Sequence, residues 1–96
     1  MSPINKKKLD LIRIKLDKLD TELLKLIKKR SNLVKEVLKV KIYKKEIIDQ
    51  KRINFILKKI QKKSNQLKID PKITKRIWKN MIWSFIDYER RNFRKK

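Results

Sequence analysis

Residues 9–43, LDLIRIKLDKLDTELLKLIKKRSNLVKEVLKVKIY, decide the fold. From Leu9 an apolar residue returns every seventh position in two series. Leu9, Leu16, Leu23 and Val37 form the first, which Arg30 interrupts, and Ile12, Leu19, Leu26, Leu33 and Val40 form the second. Positions three and four apart share one face of a helix, so two interleaved series of seven are the seam of a single long rod. Ser2-Pro3 or Asn5 offers the start, a capping side chain with a proline tolerated in the first turn. The rod runs to about Tyr43, roughly 55–60 Å at ~1.5 Å per residue. Ile27 and Val34 widen the stripe on one side, so more than one neighbour is expected along it.

Working outward, Lys44-Lys45-Glu46 is a polar break, and Asp49 is a plausible cap for a second helix over about 49–66. Its apolar positions are Ile53, Ile56, Leu57, Ile60 and, at its end, Leu67. A turn around Asn65 to Ile69 leads to Asp70-Pro71, a cap followed by proline at the first helical position. The third helix then extends to about Arg94. Its stripe is Trp78, Ile82, Phe85 and Phe93, with Ile73, Ile77, Met81 and Ile86 beside it. No alternating strand pattern occurs, so the class is all-α: three helices in a single domain, 1–96.

A chain of 96 residues has no cysteine and no histidine. Disulfides, thiol nucleophiles and the usual zinc sets are therefore excluded, and no metal is expected. No apolar run is long enough for a membrane span and no leader precedes Leu9, so a cytoplasmic address and no membrane partner are expected. The net charge of +21 first suggests nucleic acid. The lysines, however, are spread from end to end, beside 15 isoleucines and no glycine or alanine, the usage an AT-rich genome would impose. A solvated basic surface is the preferred reading, and a basic helical nucleic-acid-binding module stays open as an alternative.

Arginine is more selective. In the first 75 residues lysine occurs 21 times and arginine three times, as Arg13, Arg30 and Arg52. The planar guanidinium grips a carboxylate through two bonds, which an ammonium cannot do. Arg30 sits in the seam, where an unpaired buried charge costs several kcal/mol, so an anion should lie opposite it, either a partner carboxylate or a ligand. Lys41 projects from nearly the same face about 16 Å further along. It either converges with Arg30 on one small molecule or is solvated at the helix end. Arg13 is about 25 Å from Arg30 in the other direction, too far to hold the same small molecule. It either flanks the seam at the surface or serves a second site in another chain of an antiparallel or crossed dimer. Asp49 and Arg52 share a face as a local ion pair, or Arg52 turns into a pocket. Glu89 falls on the stripe of the third helix, where it either pairs with a lysine or is a desolvated acid.

This ordered set resembles the all-helical (type II) chorismate mutases, a family that also includes isochorismate-pyruvate lyases. The resemblance covers roughly residues 9 to 93. It rests on Arg13 with Leu19-Asp20 and Leu23-Leu24, then Arg30, Val37, Lys41, the segment Ile48-Asp49-Gln50-Lys51-Arg52, and Ile82 to Glu89. It implies an intertwined homodimer built on the first helix, and conversion of chorismate to prephenate by a Claisen rearrangement in aromatic amino acid biosynthesis, without cofactor or metal. Arg13 from the partner subunit and Arg30 would bind the substrate carboxylates, with Arg52 in support. Asp49 would help bind the substrate hydroxyl through its backbone. Lys41 would bond a carboxylate and the ether oxygen, and Glu89 stands where the family has a glutamine that donates to that oxygen.

Two positions depart from the family pattern. Many members carry glutamate directly after the Arg52 position, where this chain has Ile53, and an aliphatic residue there also occurs in the isochorismate-pyruvate lyases. Trp83-Ser84-Phe85-Ile86 leans the same way, with Phe85 at a position usually small and polar. A lyase on the same scaffold is thus the alternative enzyme. An ionised carboxylate cannot donate a hydrogen bond, so Glu89 has to carry a proton to take the glutamine's part.

Overall fold

The computed structural model describes residues 2–94, and among these every regular element is helical. Helix α1 spans Pro3–Val40, a short 3-10 turn spans Lys44–Ile47, α2 spans Gln50–Gln66 and α3 spans Pro71–Asn92. The chain divides into two compact units, one ending at Leu33 and one beginning at Val34.

The first unit is helix alone. Ser2 opens it: its hydroxyl accepts from the Asn5 N–H at 3.2 Å and its carbonyl accepts from the Lys6 N–H at 2.9 Å, with Pro3 at the first helical position. Along α1 no residue is buried, and the seam leucines stand open, Leu19 at 60% and Leu26 at 59% exposure. Full burial of each such side chain is worth about 1.5–3 kcal/mol, none of which the isolated unit collects.

The second unit builds a small core. Ile47 from the 3-10 turn, Ile53 from α2 and Ile82 and Ile86 from α3 are buried together, with Ile56, Leu57 and Phe93 packed against them. Four buried isoleucines are a thin core for independent stability. Close to the hairpin turn the α2–α3 contact is polar, a Ser64–Thr74 hydroxyl pair 2.7 Å apart, both residues buried. Ser64 also donates to the Ile60 carbonyl at 2.6 Å, so neither oxygen is left wanting.

The turn itself is a Schellman motif. The Ile69 N–H returns to the Ser64 carbonyl and the Lys68 N–H to the Asn65 carbonyl, at 2.9 and 3.2 Å. The motif places its closing residue in the left-handed region, and in a chain without glycine that residue is Lys68, φ 58°. Asp70 then caps α3 by accepting from the Lys72 N–H at 3.0 Å, with Pro71 at the first position.

Two sequence expectations change. The first helix stops at Val40, not near Tyr43, because the Ile42 N–H donates to the Glu46 carboxylate at 3.1 Å instead of continuing the ladder. On α3 the buried line runs through Thr74, Ile82, Ile86 and Glu89, leaving Ile73 and Ile77 exposed, and Leu67 after α2 is exposed as well. The Ser64–Thr74 pair rotates polar positions into the α2–α3 contact and turns the two isoleucines outward.

Candidate active site

Lys41 lies one residue past the end of α1, its N–H still held by the Val37 carbonyl at 3.2 Å. Because the helix stops there, the side chain is free of the helical array and reaches across to α3. Its Nζ meets Glu89 Oε1 at 2.9 Å, joining residues 48 apart in sequence. The pair is nearly dry, the side chains 17% and 7% exposed. Glu89 is on the same face of α3 as Ile82 and Ile86, so core packing on one side fixes where its carboxylate stands. An ion pair this enclosed is strongly coupled, since removing either charge leaves the other desolvated and unmatched.

Glu46 and Ile47 support this geometry, and sequence reading treated their segment only as a polar break. Glu46 ends α1 by taking the Ile42 N–H, and Ile47 anchors the turn in the core at 3% exposure. The signal available was the isoleucine pair directly behind the charged run, Ile47-Ile48.

Asp49 is the cap of α2, its Oδ1 accepting from the Arg52 N–H at 3.0 Å. The side chain is committed to the helix start, which leaves its backbone for other partners. Arg52 is exposed and its guanidinium lies over the Phe55 ring, 5.3 Å from the centroid, a cation–π contact of modest strength at the surface. The local Asp49–Arg52 interaction thus runs through the backbone N–H. Ile53, the residue after Arg52, is in the core at 7% exposure.

Arg13 and Arg30 are both on α1 in the first unit, Arg13 exposed and Arg30 half-buried. Seventeen residues of continuous helix hold them about 25 Å apart, so within one chain they cannot grip one small molecule. The second unit collects Lys41, Asp49, Arg52 and Glu89, and of these it brings Lys41 and Glu89 into contact.

Among the described residues no group of three acidic, cysteine or histidine side chains converges as a metal site. No described helix is long and apolar enough to cross a membrane. What the Lys41–Glu89 arrangement offers is electrostatic: an ammonium with two N–H bonds left for an incoming anion, and a carboxyl that becomes a donor once protonated. A family model described as chorismate mutase type II matches residues 12–90, a span that holds all six of these residues. No curated protein and no solved structure gives a match.

Proposed function

The chain belongs to the type II chorismate mutase family, and from that membership we propose that it converts chorismate to prephenate as a homodimer. The observation that carries the reading is the dry Lys41–Glu89 contact at 2.9 Å, formed between segments 48 residues apart. In this rearrangement the ether C–O bond breaks as the new C–C bond forms within one molecule, so no proton, electron or leaving group has to be exchanged. The protein's task is to hold a dicarboxylate in its reactive fold and to stabilise charge growing on the ether oxygen.

On this reading Arg30 grips one carboxylate and Arg13 of the partner subunit the other, which resolves their separation along α1. Arg52 swings from Phe55 to strengthen the carboxylate end. Lys41, released from Glu89 when substrate is bound, gives its N–H bonds to a carboxylate and to the ether oxygen. The Asp49 backbone takes the substrate hydroxyl, a grip made weaker by Ile53, whose side chain is in the core and has nothing to offer it. Glu89 has to be protonated and turned from Lys41 toward the ether oxygen, where it donates as a glutamine would.

The buried Ile53 favours one second reading, an isochorismate-pyruvate lyase on the same scaffold. Chorismate and isochorismate offered separately divide the two. Prephenate from the first supports the mutase, and pyruvate with salicylate from the second supports the lyase. Glu89→Gln tests the site itself: wild-type turnover should rise as pH falls and the variant's profile should be flat. Two flat and equal profiles would remove Glu89 from the reacting oxygen.

A further inference from the structure

On the flank of the α2–α3 hairpin lies an open groove of about 510 Å³ with Lys58 on one wall and Lys72, Lys75 and Lys79 on the other. Asn54 and Gln61 complete the α2 wall, and Leu57 and Pro71 are its apolar lining residues. No carboxylate lines it. The acidic residues of this unit from Glu46 onward are each committed elsewhere: Glu46 to the Ile42 N–H, Asp49 and Asp70 to helix starts, Asp87 to Arg91 and Glu89 to Lys41. Four lysines therefore line one groove with no carboxylate in its wall to offset their charge.

None of the residues lining the groove is among those proposed to hold chorismate. At 3.6 residues per turn Lys72, Lys75 and Lys79 fall on one side of the buried line of α3, and the exposed Ile73 and Ile77 on the other. Lysine is the sole cation in the lining, a point charge suited to phosphate, whereas the planar forks proposed to grip chorismate carboxylates, Arg13, Arg30 and Arg52, are absent from it. Lys72, Lys75 and Lys79 spread along about 10 Å of helix, which favours several phosphates in line over a single one. The Asn54 amide, whose oxygen accepts from Gln50, keeps its N–H donors, Gln61 can donate and accept, and Leu57 with Pro71 offers apolar surface for an organic portion.

We propose that the α2–α3 groove is a binding site for a small organic polyphosphate, distinct from the chorismate site. The test uses the full chain at about 0.15 M salt, with inorganic tripolyphosphate, a nucleoside triphosphate and a single-stranded oligonucleotide as calorimetric probes. The comparison is between Lys58→Gln/Lys75→Gln/Lys79→Gln in the groove and Lys7→Gln/Lys18→Gln/Lys28→Gln on α1, which remove the same charge. All six lysines are exposed, and circular dichroism is the check that both variants fold. Tripolyphosphate affinity should fall at least about tenfold in the groove variant and less than about threefold in the α1 variant, with the nucleoside triphosphate binding tighter than the inorganic probe. Equal losses in both variants, or no measurable binding to the wild type, would overturn the site. So would a groove-specific loss confined to the oligonucleotide, which would make the groove a nucleic-acid surface instead.

Discussion

Each half of the chain has a lysine–glutamate pair, and the two are built differently. Glu22–Lys25 on α1 closes at 3.3 Å between neighbours one turn apart, with both side chains about two-thirds exposed. Lys41–Glu89 closes at 2.9 Å between distant segments, enclosed by core packing. The first is worth a few tenths of a kcal/mol at most, because water and salt screen it. The second can only exist where the fold has excluded water. Up to Leu33 the chain shows its apolar stripe and buries none of it, and from Val34 it closes a core around four isoleucines. The first region leaves its apolar surface uncovered, and the second supplies the enclosure in which charge has chemical leverage.

Leu19→Lys should break this contrast most severely. If α1 is the dimer seam, two copies of the substitution each forfeit the ~1.5–3 kcal/mol of a buried leucine and place like charges opposite each other. Association should weaken roughly a thousandfold or more, with turnover lost in parallel, as read by sedimentation and assay at matched concentrations. A variant that stays dimeric and active would show that the seam is not the interface. Ile82→Ala attacks the other region, at a residue 6% exposed. The cavity should cost about 2–4 kcal/mol in denaturant unfolding, with any remaining folded protein still dimeric. Together the two substitutions ask whether one region holds the partner and the other holds the core.

Arg30→Ala sharpens the contrast from the side of chemistry. Loss of a charge-assisted, largely desolvated contact should cost roughly 2–4 kcal/mol of transition-state binding, about 30- to 1000-fold in kcat/KM. Dimerisation should be retained, because alanine is tolerated in an apolar seam. Less than about threefold loss in a folded dimer would remove Arg30 from the site and return it to the seam as a register-setting charge.

Periodicity made the long first helix legible, because every seam position of α1 except Arg30 obeys one local rule. The caps were legible for the same reason: Ser2-Pro3, Asp49 and Asp70-Pro71 are signals read within four residues. Glu89 was singled out as a carboxylate on an apolar stripe, though the partner that would reach it was not fixed by any local pattern. What pattern could not convey was the end of α1, which depends on a Glu46 side chain reaching back to Ile42, and the facing of α3, which depends on a hydroxyl pair across the hairpin. Both are contacts between specific polar atoms, and hydropathy does not register them.

The smallest expected effect concerns the α2–α3 turn. Lys68 sits at φ 58°, where a side chain with a Cβ crowds the backbone and costs ~1–2 kcal/mol relative to glycine. Glycine would relieve that strain, and its greater freedom in the unfolded chain would take back part of the gain. Lys68→Gly should therefore raise unfolding stability by about 0.5–1 kcal/mol, with the midpoint moving up a few degrees. The side chain is exposed and its backbone bonds are kept, so neither association nor turnover should change. A gain that also tightened the dimer would mean that the hairpin and the seam are energetically coupled. A stability gain alone would show that the second region carries its own local stability, independent of the exposed stripe of α1.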